Sequence, residues 1–230
     1  MGVRLAVDVC SIINHIIKNL TMKKITCILL LLIGSMGFSQ NDKAKVESLL
    51  NQFTTELTER GITNFFTTKR YCLGTTEMFR IGNNQICTSE GTYYESYVVW
   101  QEPEGDTMIK KIDNCGLFRA VSVGATNPLS FYLTNLSTLQ KEEVKLYKVS
   151  NPGNRPTQRT QVHPCRRDFS FFADAEDTVQ MTYRLYDMTN GSSQPNLNYE
   201  YNKNLKITML DAMMDETIEA NENRFRREIE

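Results

Sequence analysis

The sequence predicts a single α+β domain, an antiparallel β-sheet meander packed by an N-terminal and a C-terminal helix. Three observations predict it. An amphipathic stripe follows residue 41, short segments rich in aromatic and β-branched residues alternate with turn residues over 63–123, and a second amphipathic stripe occupies 205–226. Closely spaced strands joined by short turns are typical of antiparallel sheets, because parallel strands need long crossover connections.

The first helix is predicted to begin with a cap at Asn41 or Asp42 and to end near Arg60. Gly61 then stands where a left-handed C-terminal cap is favoured. Apolar residues recur with the helical period at Val46, Leu49, Leu50, Phe53 and Leu57. We expect this stripe to pack on the sheet.

The strongest strand prediction falls on residues 91–102, which contain the only tryptophan, Trp100. Successive side chains of a strand point to opposite faces. One face therefore carries Tyr94, Ser96, Val98 and Trp100, and the other carries Tyr93, Glu95, Tyr97 and Val99. Neither face is purely polar. Either both faces are covered and the strand is central in the core, or one face is an aromatic binding surface formed by Tyr94 and Trp100.

The remaining elements follow from shorter signals. Strands are predicted at 65–73, 76–81, 85–88, 107–112, 117–123, 165–172 and 179–188, with hairpin turn residues at 82–84. Residues 129–133 are interpreted as a short strand, 137–143 as one helical turn and 144–149 as a further strand. The C-terminal helix is predicted over 205–226, with a stripe of Ile207, Leu210, Met214, Ile218 and Phe225.

Residues 22–39 have the pattern of a secretory signal peptide. Lys23 and Lys24 precede an apolar run at 25–38, and Gly37 and Ser39 are the small residues of a cleavage site before Gln40. A retained membrane anchor is the alternative, but the run is shorter than the roughly 20 residues that a spanning helix needs. The leader resembles those of secreted proteins of the Bacteroidota. Residues 1–21 are interpreted as a start assigned too early or as an extended n-region.

The domain predicted to follow the leader occupies residues 40–230. Removal of 1–39 takes away four of the 26 basic residues and one of the 27 acidic residues, which leaves a net charge of −4. A mildly acidic exported chain is not expected to bind nucleic acid. A membrane contact is expected only through the signal peptide. The sequence shows no phosphate-binding glycine loop and no metalloprotease motif, so no cofactor and no metal are predicted.

Four cysteines follow the leader, namely Cys72, Cys87, Cys115 and Cys165. An even number of cysteines in an exported chain predicts two disulfides. Of the three possible connectivities we favour Cys72–Cys87 with Cys115–Cys165. A zinc site is the alternative, although no Cys-x-x-Cys pair is present. Cys165 and His163 also form the one candidate cysteine–histidine nucleophile pair.

A locally basic segment offers a second candidate binding site. It contains Arg155, Arg159, Arg166 and Arg167. The leading functional hypothesis is an exported, non-catalytic binding or interaction protein of the bacterial cell envelope, whose partner is a protein or a glycan. One alternative is a small hydrolase that uses carboxylates alone, and another is a structural protein of the envelope that binds through the basic segment.

Overall fold

The computed structural model describes residues 38–82, 85–103, 105–124, 127–150, 163–173, 177–191 and 193–228. The chain divides into two compact units, 1–41 and 42–230. The interpretations of residues 1–21 and of most of 22–39 lie outside the described residues. The second unit is the predicted α+β domain, with an antiparallel sheet and helices at both ends. None of the described helices is both long enough and apolar enough to cross a bilayer.

The main sheet has seven strands in the part of the chain that is described. They are β1 (Phe65–Cys72), β4 (Tyr94–Gln101), β5 (Thr107–Asp113), β6 (Gly116–Leu117), β7 (Val121–Ser122), β8 (Cys165–Ala173) and β9 (Asp177–Arg184). Their order is β6-β5-β4-β1-β8-β9, and β7 pairs with β5. The predicted antiparallel pairing is confirmed. The chain runs outward from β1 through β4 to β5, and β8 then returns to the free side of β1, which is the Greek-key order.

A separate hairpin lies between β1 and β4 in sequence. It consists of β2 (Met78–Ile81) and β3 (Gln85–Thr88), as the turn residues between them predict. The hairpin contacts the main sheet through Phe79, whose ring centroid lies 5.2 Å from that of Tyr93. The disulfide Cys87–Cys115 attaches it to the turn after β5.

Helix α1 (Phe38–Glu59) covers one face of the sheet. Its predicted stripe is confirmed, because Val46, Leu50, Phe53 and Leu57 are all buried. Phe53 meets the edge of Trp100 with ring centroids 5.2 Å apart. The helix begins earlier than predicted, and Asp42 lies inside it.

The opposite face of the sheet is covered by α2 (Pro128–Leu139) and α4 (Lys206–Asn221). Tyr132 of α2 stacks on Phe171 of β8, with ring centroids 5.4 Å apart. Ile207, Leu210 and Met214 of α4 are buried against the same core, which confirms the predicted C-terminal helix. Short helices occur at Leu185–Met188, Tyr199–Lys203 (α3) and Glu222–Arg224.

The interpretation of residues 129–143 was wrong, because this segment forms helix α2 rather than a short strand and a separate turn. Asn127 caps the helix by accepting a hydrogen bond from the N–H of Ser130, and Pro128 is the first helical residue. Leu129 and Tyr132, two of the apolar and aromatic residues that favoured a strand, lie instead on the face that α2 buries.

The segment 144–149 is also not a strand. Its backbone is paired by side chains. Asn202 accepts from the N–H of Lys145 and donates to its carbonyl, both within 3 Å, and Asp187 accepts from the N–H of Tyr147 at 2.8 Å. Buried backbone groups must be paired, and here polar side chains replace a neighbouring strand.

The predicted disulfide connectivity was wrong, although all four cysteines are paired. The bonds are Cys72–Cys165 and Cys87–Cys115. Cys72 and Cys165 are directly opposite each other at the ends of β1 and β8, which are neighbours in the sheet. Sheet order therefore decides the pairing.

The carboxylate of Asp42 joins α1 to the turn before β4. It accepts hydrogen bonds from the N–H groups of Gly91 at 2.6 Å and Thr92 at 3.0 Å. Burial opposes the charge of Asp42, but the hydrogen bonds from the backbone of Thr92 and Gly91 outweigh it and hold the pKa below its usual value.

We expect Asp42→Asn to lower the free energy of unfolding at pH 7 by about 1 kcal/mol, because charge-assisted hydrogen bonds become neutral ones. A depressed carboxyl pKa stabilises the fold above the unfolded-state value near 4, and this contribution is lost as the pH falls through the folded-state pKa. Urea unfolding at pH 7 and pH 2 checks this. The difference from wild type should shrink at pH 2, whereas a difference of constant size would contradict the account.

Candidate functional site

The structure does not provide an exposed aromatic surface at Tyr94 and Trp100. These side chains are only 4% and 2% exposed. Tyr94 packs on Tyr71, with centroids 4.8 Å apart, and Trp100 donates from its indole N–H to Glu102 at 2.8 Å. Helix α1 covers the sheet face on which both lie. The prediction of a binding face there is therefore wrong, and the prediction of a central core strand is confirmed.

The basic segment is only partly described. Arg155 and Arg159 lie outside the described residues. Arg166 and Arg167 are neighbours on β8 and therefore point to opposite faces of the sheet. Arg167 lies 3.5 Å from Asp211 of α4, whereas Arg166 lies on the α1 side. The structure thus separates these two arginines rather than grouping them.

The candidate cysteine–histidine pair has no free thiol, because Cys165 forms a disulfide with Cys72. The Nδ1 atom of His163 lies 3.0 Å from the carbonyl oxygen of Leu73. This histidine belongs to the junction between β8 and the end of β1.

A groove of about 460 Å³ lies on the α1 side of the sheet. Its floor is made by β1, β8 and β9, and its wall is one flank of α1. Ligand pockets commonly have volumes of roughly 300–1,000 Å³. We call this cavity the α1 groove.

Strand register places the floor side chains in two rows across the three strands. Thr67, Ser170 and Gln180 form one row, and Lys69, Asp168 and Thr182 form the next. Adjacent strands are separated by about 4.8 Å, and same-face residues along one strand by about 7 Å. The floor is therefore a regular array of polar groups.

The wall of the groove comes from the flank of α1 beside its buried stripe. Lys43, Glu47, Leu50, Asn51 and Thr54 line it. Residues three or four positions apart share one side of a helix, so this set is continuous.

A chain of alternating charges crosses the groove. Lys69 Nζ lies 2.9 Å from Glu47 and 3.9 Å from Asp168, and Lys43 lies 3.6 Å from Glu47. Burial opposes ionisation of Glu47, but its hydrogen bond to Lys69 and the charges of Lys69 and Lys43 hold its pKa below the usual value. The two cations and two carboxylates balance, so the groove has little net charge.

The uncharged floor groups have unused hydrogen-bonding capacity. Within the described part of the chain, no hydrogen bond involves the side-chain oxygen or nitrogen atoms of Thr67, Ser170, Gln180 or Thr182. Together they offer donors and acceptors in both rows. At one end the ring of Phe172, stacked on Phe65 with centroids 4.3 Å apart, adds an apolar surface.

This arrangement can bind a polar, uncharged or weakly charged ligand by many hydrogen bonds. Among the residues that the structure describes, no cluster of three or more histidine, cysteine, aspartate or glutamate side chains could hold a metal ion.

Fold and groove together describe an α+β protein with helices on both sheet faces and a polar groove beside the first helix. Comparison with protein families, curated proteins and solved structures finds nothing that matches this chain.

Sequence reasoning missed the α1 groove. One signal was present, because Arg166, Asp168 and Ser170 are polar and alternate with the apolar Phe169 and Phe171. A polar strand face is commonly exposed to solvent. The sequence did not reveal that α1 borders this face.

Proposed function

We propose that the protein is an exported, non-catalytic binding protein of the bacterial cell envelope, and that it binds a saccharide in the α1 groove. The observation that carries this proposal is the array of hydroxyl and amide groups on the groove floor, which have no hydrogen-bond partner among the described residues. A sugar presents several hydroxyl groups around one ring, and each hydroxyl both donates and accepts.

Two further features favour a saccharide over other polar ligands. The charged groups of the groove neutralise one another, so a strongly charged ligand would have to compete with an existing ion pair. Phe172 provides a partly exposed ring, and aromatic rings are suitable surfaces for the apolar face of a sugar.

Export is supported by the signal-peptide pattern and by the two disulfides, which are compatible with an oxidising compartment. We also propose that the signal peptide is cleaved before Gln40. The envelope location follows the resemblance of the leader to those of secreted Bacteroidota proteins.

A carboxylate hydrolase is the second candidate, because Glu47 and Asp168 both lie within 4 Å of Lys69 Nζ. A general acid needs a carboxyl group that stays protonated, which requires a raised pKa. The pKa of Glu47 is lowered instead, because Lys69 and Lys43 stabilise its charged form. The groove therefore favours binding over glycoside hydrolysis.

The test is isothermal titration with neutral hexose oligosaccharides and uronic-acid oligosaccharides. We expect Gln180→Ala to weaken binding about three- to tenfold, the value of one neutral hydrogen bond. Thr182→Trp should abolish binding by filling the groove. Thr134→Trp is the matched control, because Thr134 is exposed on α2 at the other sheet face.

Equal affinity of the two tryptophan variants would contradict the groove as the site. Analysis of the recovered oligosaccharides after titration separates the two functions, because shortened products would favour the hydrolase.

A further inference from the structure

Arg166 lies on the sheet face of the α1 groove, one row beyond the floor of the groove. It lies opposite Tyr71 on β1 and opposite Arg184 on β9, so these side chains form the row next to Lys69, Asp168 and Thr182. Same-face residues on a strand are about 7 Å apart. The distance from Arg166 to Asp168 along β8 is therefore similar to the length of one sugar unit. A second cavity, of about 290 Å³, is lined by Arg166. Thr182 lines both this cavity and the α1 groove.

The two arginines of this row differ in their ionic partners. Arg184 forms a bidentate pair with Asp187, at 2.9 and 2.8 Å. Arg166 has no ion pair among the described residues, and its buried Nε has no hydrogen-bond partner there. An unpaired buried donor is unfavourable, and this cost is recovered when an acceptor binds.

The other groups facing Arg166 do not neutralise it. Both oxygens of Asp187 are bound to Arg184, and Asp168 lies in the row of Lys69. Burial and the charge of Asp168 raise the pKa of Tyr71 to about 12, so its phenol is neutral at physiological pH. The row of Arg166 therefore carries one uncompensated positive charge at the end of a neutral groove.

We propose that the saccharide carries a carboxylate, as a uronic acid does, and that Arg166 binds this carboxylate. The planar guanidinium matches a carboxylate in a bidentate manner. The hydroxyl array would hold the sugar ring, and Arg166 would select the acidic unit. This inference rests on the proposed saccharide-binding function.

The test compares a galactose tetrasaccharide that ends in one galacturonate unit with the neutral galactose tetrasaccharide, by titration of the full protein at low salt. We expect the acidic ligand to bind at least about tenfold more tightly, the effect of a charge-assisted hydrogen bond. In Arg166→Gln the ratio of the two affinities should fall to about one. Arg80→Gln is the control, because Arg80 is exposed on the β2–β3 hairpin and should keep the wild-type ratio.

The possible failures are distinguishable. If the wild-type protein binds both ligands equally, or if Arg166→Gln keeps the preference, the assignment of Arg166 is overturned and saccharide binding stands. If neither ligand binds, both proposals are contradicted. If Arg166→Gln does not fold, Arg166→Lys takes its place, because it keeps the charge but loses the bidentate contact. The ratio of the two affinities should then fall, and an unchanged ratio would overturn the assignment of Arg166.

Discussion

Replacement of Cys72 and Cys165 by serine is expected to lower the free energy of unfolding by about 4.7 kcal/mol. This disulfide joins residues 93 positions apart, so its removal releases a long loop in the unfolded chain. The loop contains all strands between β1 and β8. Urea unfolding of the variant and the wild type, at the same pH and protein concentration, measures the difference.

The second disulfide supplies the matched comparison. Cys87 and Cys115 are 28 positions apart, and the same chain-entropy relation gives about 3.6 kcal/mol for the paired serine variant. The first variant should therefore be the less stable by about 1 kcal/mol. The reverse order would contradict the account, and so would peptide mapping that found Cys72 bonded to Cys87.

The second large effect is expected at the C-terminal segment. Arg227 donates to both oxygens of Asp113, at 2.7 and 2.8 Å, and the side chain of Asp113 is fully buried. The guanidinium also lies over the ring of Phe118, 4.3 Å from its centroid. Arg227→Ala leaves a buried carboxylate without its cation, which typically costs about 3–5 kcal/mol. Denaturant unfolding measures the loss.

Arg226→Ala controls for the removal of a neighbouring arginine. Arg226 is exposed, and surface substitutions usually change stability by about 0.5 kcal/mol or less. A loss at Arg227 no larger than that at Arg226 would contradict the role of the buried pair. Tyr93 and the N–H of Cys115 also donate to Asp113, so the carboxylate keeps two partners in the variant.

The long helices and the central strands were predictable because their patterns are local. The stripe of α1 has the helical period over several turns, and the predicted strand at 91–102 combines aromatic and β-branched residues. Such signals depend only on neighbours in sequence. Trp100 is buried on one face of β4 and Tyr97 on the other. This burial agrees with the sequence pattern of the strand, in which neither face is purely polar.

The errors arose where distant residues decide the structure. The segment 144–149 has strand-like residues, but Asn202 and Asp187 pair its backbone from far along the chain. The disulfide pairing depends on β8 returning beside β1, and sequence spacing alone favoured a shorter loop.

The α1 groove was not predictable for the same reason. Glu47 and Asp168 meet Lys69 from elements separated by most of the domain. The polar alternation of β8 showed which residues share a face, but not that α1 would border that face. Only the sheet order brings the floor rows together.

The most direct test of saccharide binding in the α1 groove is nuclear magnetic resonance mapping of backbone amides during titration with the tightest-binding oligosaccharide. We predict that the largest shifts occur at Thr67, Lys69, Asp168, Ser170, Gln180 and Thr182, with small changes on α2 and α4. The account is contradicted if no oligosaccharide of either class binds, or if the shifts concentrate on the face that α2 and α4 cover.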